Sequence, residues 1–301
     1  MPNWNETLAE LDGDGESRFD RLRKKYLTKL ADHTGRNVLV YYSAWLQQND
    51  SWVTDLGICD ADKAGFMTCS HGVRRDRGLD IILHTPGGDL AATEAIIDYL
   101  HSMYDGDIRA LVPQLAMSGG TLMALSCKEI IMGRQSSLGP VDPQISGFPA
   151  QGVIEEFARA GREVSEDPST IPLWSAILGK YWPTLLTSCE HASTWSDELL
   201  RGYLSKCMFA GDDPIARARK LDQVSDLLGK HSTSRNHARH ISPERAAAAG
   251  LHITALEDDQ TLQDLVLTLH HGLSHTFAST DTAKIIANDS GTTYTLSMPV
   301  H

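Results

Sequence analysis

Two glycine-bearing turns carry the residues that could do chemistry. Leu83-His84-Thr85-Pro86-Gly87-Gly88-Asp89 ends an apolar run in a Gly-Gly turn. Ala116-Met117-Ser118-Gly119-Gly120-Thr121 places one serine on a tight turn at the start of a helix. A serine hydroxyl is a weak nucleophile until a base takes its proton and donors stabilise the oxyanion its attack creates. Gly87 and Gly88 let the backbone turn so that an N–H can face a pocket. The Gly119 N–H falls at a helix N-terminus, where unpaired donors and the helix dipole favour negative charge. Either turn alone is common in ordinary loops. Two of them, each closing a strand of one core, point to acyl transfer by a serine hydrolase.

A parallel α/β core would hold such turns. Leu79 to Leu83 is an apolar run that predicts a buried strand. A helix follows from Leu90 to Tyr104, with Ile96, Ile97, Leu100, Met103 and Tyr104 at helical spacing and Asp89 as its cap. Ile108 to Val112 predicts a second strand, Gly119 to Cys127 a helix, and Ile130 to Met132 a third strand stopped by Gly133. Alternation of this kind is the signature of a parallel sheet with right-handed crossovers. Its sites form at the C-terminal ends of the strands. Upstream, residues 17–31 read as a helix with Phe19, Leu22, Tyr26, Leu27 and Leu30 on one face, and Val38 to Tyr42 as a short strand. Downstream the chain is mainly helical. Thr194-Trp195-Ser196-Asp197 reads as a capping box opening a helix, Ser242-Pro243 opens another that Gly250 ends, and residues 257–277 form a third. Lys284-Ile285-Ile286 is strand-like, with a turn at Asp289-Ser290-Gly291. One domain over residues 1–301 is expected, with 1–34 as an N-terminal helical extension and 257–301 as a C-terminal helix and tail.

Composition narrows the function classes. A net charge of −12 over 301 residues argues against a nucleic-acid partner, which would need clustered Lys and Arg. The five cysteines, Cys59, Cys69, Cys127, Cys189 and Cys207, form no CxxC pair, so free buried thiols in a reducing compartment are expected. The N-terminus has no basic and apolar leader and no apolar run approaches a membrane span, which predicts a cytoplasmic protein. Asp12-Gly13-Asp14-Gly15-Glu16 lacks the ligand pattern of a calcium loop. His270, His271 and His275 lack the carboxylate of a zinc helix and read as solvated or dipole-stabilised. His231, Arg235, His237, Arg239 and His240 read as a solvated basic loop, and the six tryptophans as core or oligomer-interface residues. No metal or organic cofactor is expected.

The segments TPGGD and AMSGGTLMAL, with Ser137-Leu138-Gly139-Pro140-Val141-Asp142-Pro143-Gln144, resemble the ClpP/crotonase superfamily. Within it they are similar to the prokaryotic serine peptidases labelled serine dehydrogenase proteinase, relatives of signal peptide peptidase A. The likeness continues through Tyr181-Trp182-Pro183, through Leu204 to Phe209 and through the Ala246–Leu251 helix end, over residues 35–287. The resemblance implies an α/β fold of the ClpP/crotonase type, built of repeated ββα units with additional peripheral helices. It implies Ser118 as nucleophile, the Gly88 and Gly119 N–H groups as the oxyanion hole, a peptide or protein substrate and a homo-oligomer. It names no unfoldase or membrane partner. The word dehydrogenase finds no support, since no GxGxxG follows a strand.

The general base is the open position. ClpP-type enzymes use a histidine downstream of the serine, and residues 140–150 contain none. Signal peptide peptidase relatives use a lysine, which serves when desolvation lowers its pKa. Lys128 lies ten residues beyond Ser118, about 15 Å along a helix, and is rejected. Lys180, just before Tyr181-Trp182-Pro183, is the expected base, with Lys206 in reserve and His191 for a triad. Asp142 either orients a base and shapes the groove or fixes its own Pro-rich turn. His84 either lines the pocket, as Gly87 would, or is a satisfied histidine at a strand end. Two rival functions stand beside the serine endopeptidase: a non-catalytic peptide- or partner-binding module, and a crotonase-type acyl-CoA enzyme.

Overall fold

The computed structural model describes Thr7 and residues 17–47, 56–229 and 239–297. Its centre is a seven-stranded sheet in the order β11-β10-β1-β2-β3-β5-β9. The strands are β1 (Asn37–Ser43), β2 (Leu79–His84), β3 (Ile108–Val112), β5 (Ile130–Met132), β9 (Ile253–Ala255), β10 (Thr282–Asn288) and β11 (Thr293–Ser297). From β1 to β9 the neighbours run parallel, whereas β10 is antiparallel to β1, and β11 to β10. The mixed α/β architecture expected from the sequence is therefore present, with β10 extending the core rather than trailing from it.

Every residue of β1 and β2 is buried, as near-continuous apolar runs require when helices cover both faces. Side chains alternate between the two faces. Leu39, Tyr41, Ile81 and Leu83 join a core with α2 (Asp60–Ser70), α3 (Leu90–Tyr104), α4 (Gly119–Leu125), α7 (Leu185–Lys206) and α8 (Pro214–Leu228). Val38, Val40, Tyr42 and Ile82 join a second core with α1 (Ser17–Thr34) and α10 (Gln260–Ser279). The expected N-terminal extension thus packs on the sheet. Gly272 lets α1 approach α10 closely, since a Cβ there would lie 2.2 Å from Leu22 Cδ2.

A small parallel pair, β4 (Leu115–Ala116) with β6 (Ser137–Leu138), stands off the main sheet. Thr85 bridges to Ala116, and Leu138 bridges to Ile241, so this pair ties the end of β2 to the Ser118 turn. Beyond β6 come the hairpin strands β7 (Gln144–Ile145) and β8 (Phe148–Pro149), then α5 (Ala150–Glu166) and α6 (Ile171–Leu178) before α7. Before β9 comes α9 (Pro243–Ala248), capped by Ser242 as expected. Thr194 to Asp197 opens no helix, because these residues lie inside α7. There Ser196 turns inward and donates to the Val141 carbonyl at 2.7 Å, while Asp197 pairs with Arg201 at 2.7 Å. All five cysteines are free; Cys59 and Cys207 are only partly buried. Among the described residues no helix is long and apolar enough to cross a membrane.

Candidate active site

β2 ends at His84, and the chain turns through Thr85, Pro86, Gly87 and Gly88 into α3. Asp89 caps α3 by accepting the Ala92 N–H at 2.8 Å. The second turn is stitched beside it. Thr85 N–H donates to the Leu115 carbonyl at 3.1 Å, and Met117 N–H donates to the Thr85 carbonyl at 3.0 Å. The two glycine turns therefore meet. Gly87 has φ 93°, and a Cβ there would lie 2.6 Å from Ser118 Cβ and 2.7 Å from Gly119 N. Only a glycine fits at that closeness and that φ.

Ser118 itself has φ 48° and ψ −115°, a conformation that an L-residue with a Cβ adopts only under constraint. It precedes the first residue of α4 and makes no helix-capping hydrogen bond with its side chain. The turn is held from below. Leu122 N–H donates to the Ser118 carbonyl at 3.0 Å, and Gly120 N–H to the Met117 carbonyl at 2.8 Å. The Thr121 hydroxyl sits between the Ala116 carbonyl and Gly139 at 2.8–2.9 Å.

A third segment completes the frame. Ile58 forms a parallel bridge to Gly88: Ile58 N–H donates to the Gly87 carbonyl at 2.7 Å, and Asp89 N–H to the Ile58 carbonyl at 2.8 Å. These bonds flank Gly88 and, among the described residues, leave its own N–H out of the ladder. Gly119 N, at the first position of α4, is one of the donors a helix cannot use internally. The two groups are close, since a Cβ on Gly119 would be 3.4 Å from Gly88 N.

Both turns open on a cavity of about 330 Å³. Ser118, Gly88, Gly119 and Leu90 form one side, and Val141 to Gln144 with Ala192 and Trp195 of α7 the other. Asp142 is 1% exposed within that far wall. Its turn is fixed by the Ser196 bond to Val141, by Val141 N–H donating to the Leu228 carbonyl at 2.8 Å and by Ala150 N–H donating to the Pro143 carbonyl at 2.9 Å. Asp142 therefore lines the cavity from within a turn that its neighbours Val141 and Pro143 hold in place.

The structure gathers Ser118, Gly87, Gly88, Gly119 and Asp142, and separates the other expected residues from them. Lys180 lies exposed in the turn between α6 and α7, outside the cavity lining. Lys206 and His191 are exposed on α7 and also outside it. His84 does not line the cavity either. It is 1% exposed on the opposite face, against Tyr42, Trp45 and His270. Among the described residues neither ring nitrogen has a hydrogen-bond partner, so it is not a satisfied histidine. Burial pushes its pKa down to about 4. His270 and His275 are buried at 8% and 4% exposure rather than solvated. Of the basic loop, residues 230–238 lie outside the described residues, as do residues 12–16.

Sequence reasoning missed Ile58, Asp62 and Lys284. A lysine inside the apolar run Ala283-Lys284-Ile285-Ile286 was the available signal, since a strand buried on both faces can hold a charge only with a partner.

Two proteins of Methanocaldococcus jannaschii, both described as uncharacterized, are similar to this chain. One is 39% identical over 110 residues, covering 36% of this chain and 38% of the relative. The other is 42% identical over 92 residues, covering 31% of each. The chain therefore matches only 31–38% of the length of these relatives. Residues 61–174, which contain the Gly87-Gly88 turn, Ser118 and Asp142 but not Lys180, match the family of ClpP-like SDH-type serine proteinases.

Proposed function

We propose that the chain is a serine endopeptidase that cleaves peptide bonds through an acyl-enzyme on Ser118. The observation that carries this reading is the strained Ser118 turn at the start of α4, set beside the Gly88 and Gly119 N–H groups on one cavity. Ser118 Oγ attacks the peptide carbonyl carbon and loses its proton to a base. The oxygen of the tetrahedral intermediate takes its negative charge between the two N–H groups. The proton passes to the leaving amine, the C–N bond breaks, and water then hydrolyses the ester. The match to a serine proteinase family supports the same class.

The Asp142 carboxylate in the far wall would hold a protonated base, or a cationic substrate group, in its charged form beside Ser118. Lys180 completes a dyad only if the α6–α7 turn of this chain or of a neighbouring copy enters the cavity. Exposed Phe148, Ile171, Leu173 and Trp182 on the same arm support self-association as the setting for such an approach.

Labelling with a fluorophosphonate tests the nucleophile. The wild-type protein is expected to be labelled on Ser118, and Ser118→Ala to remain unlabelled. Lys180→Ala should label at the wild-type rate if the exposed position of Lys180 is its working position. A large drop in that variant, in a folded protein, restores the dyad. Absence of labelling in the wild type leaves a binding module on the same fold.

A further inference from the structure

We infer that Lys284, paired with Asp62, is a positioning residue for the oxyanion site: it pins the segment that sets the direction of the Gly88 N–H. The inference rests on the proposed role of Gly88 as an oxyanion donor.

Lys284 of β10 and Asp62 of α2 are 1% and 0% exposed. Lys284 Nζ donates to the Gly57 carbonyl at 2.5 Å and to both Asp62 carboxylate oxygens at 3.0–3.1 Å, with Cys59 Sγ at 3.4 Å. Three donors are all that an ammonium has, and each has a partner here. Asp62 Oδ2 also accepts the Tyr41 hydroxyl at 2.7 Å and the Cys59 N–H at 3.0 Å. Burial, and next the Asp62 charge, raise the Tyr41 pKa well above its usual value, so the phenol stays a donor. Gly65, one turn after Asp62, lets α2 reach this depth, since a Cβ there would be 2.4 Å from Ile286 Cδ1.

An apolar pair of equal volume would hold α2 on β10 as firmly as this ion pair does. The ion pair adds direction, because it grips a carbonyl and an amide of residues 57–59. Ile58, between them, makes the two hydrogen bonds that flank Gly88. No slack separates the clamp from the donor. A Cβ on Gly57 would be 3.0 Å from the Gly87 carbonyl oxygen, and one on Gly88 would be 2.1 Å from Ile58 N. A displacement of Gly57 must therefore move Gly88. Oxyanion donors work only within about 2.7–3.1 Å of the developing charge, so a small shift of the loop weakens the site without emptying the cavity.

The test compares inactivation by a fluorophosphonate in the full chain, as kinact and KI, for wild type, Lys284→Met and the double variant Lys284→Met/Asp62→Leu. Amide hydrogen exchange at Ile58 and Asp89 is measured alongside. Lys284→Met should lower kinact about ten- to a hundredfold, by the loss of one aligned donor, with KI little changed. The double variant, with both charges gone, should regain thermal stability yet keep the low kinact and the faster exchange. Recovery of kinact together with stability would reduce the pair to packing and overturn the inference, as would wild-type kinact in a folded Lys284→Met protein. If the wild type itself is not labelled, the peptidase reading fails separately. Exchange then decides the clamp: faster at Ile58 and Asp89 in the double variant supports it, and unchanged exchange overturns it.

Discussion

Tyr41 and Tyr42 are neighbours on β1, and they point into opposite faces of the sheet toward two different kinds of buried polar cluster. Tyr41 donates to Asp62, which is paired with Lys284. Tyr42 lies 3.3 Å from His270 Nδ1, and its ring and that of His270 pack on His84, each with centroids 5.3 Å away. On the first face the acid and the amine are paired with each other. On the second, burial pushes His84 down to about 4 and His270 well below its usual value, so the histidines stay neutral. Both faces solve the same problem, since an uncompensated buried charge is far too costly to keep. The costlier, charged solution stands on the face that carries the Ile58–Gly88 bridge, where a carbonyl has to be held in one place.

The sharpest way to break this contrast is to remove one charge of the pair. Lys284→Met leaves the Asp62 carboxylate buried without its cation and should cost about 3–5 kcal/mol in urea unfolding, most of it recovered by adding Asp62→Leu. Equal stability of the single and double variants would show that the pair is not coupled. On the other face the corresponding probe is acid. The folded-state pKa of His84, about 4, lies below its unfolded value near 6.5, so the unfolded chain binds the extra proton. Its contribution is therefore complete above about pH 6.5 and is lost as pH falls toward 4, at up to about 1.4 kcal/mol per pH unit. His84→Leu should flatten that slope, and an unchanged slope would mean that His84 titrates normally. The smallest effect is expected from Tyr42→Phe. Losing a hydroxyl that bonds a neutral ring nitrogen should cost about 1 kcal/mol in the same unfolding assay.

The two glycine turns of the candidate site are legible in the sequence because their signals are local. Glycines at positions that admit no Cβ, a serine before a helix and apolar strands with a fixed period each act within a few residues. Beyond that range, local signals misled. Thr194 to Asp197 has the pattern of a helix start, yet α7 begins at Leu185, and the same polar side chains serve Val141 and Arg201 instead. Lys180 is expected as the base because it precedes a helix downstream of the serine, and its sequence position does not say where the α6–α7 turn projects; here it lies exposed, outside the cavity lining. His84 sits next to the Gly87-Gly88 turn in the chain and on the far side of the sheet in space, as the two-residue period of a strand requires. Lys284 is more than two hundred residues from Asp62, and only the antiparallel return of β10 beside β1 brings them together.

The backbone of Ser118 has a consequence for how the sequence can drift. At φ 48° and ψ −115° a glycine would sit more comfortably than any residue with a side chain, by about 1–3 kcal/mol. With Ser118 in its proposed role, folding and chemistry therefore pull this codon in opposite directions. A lineage released from that role would gain stability by placing a glycine here, whereas an alanine would lose the hydroxyl and keep the strain.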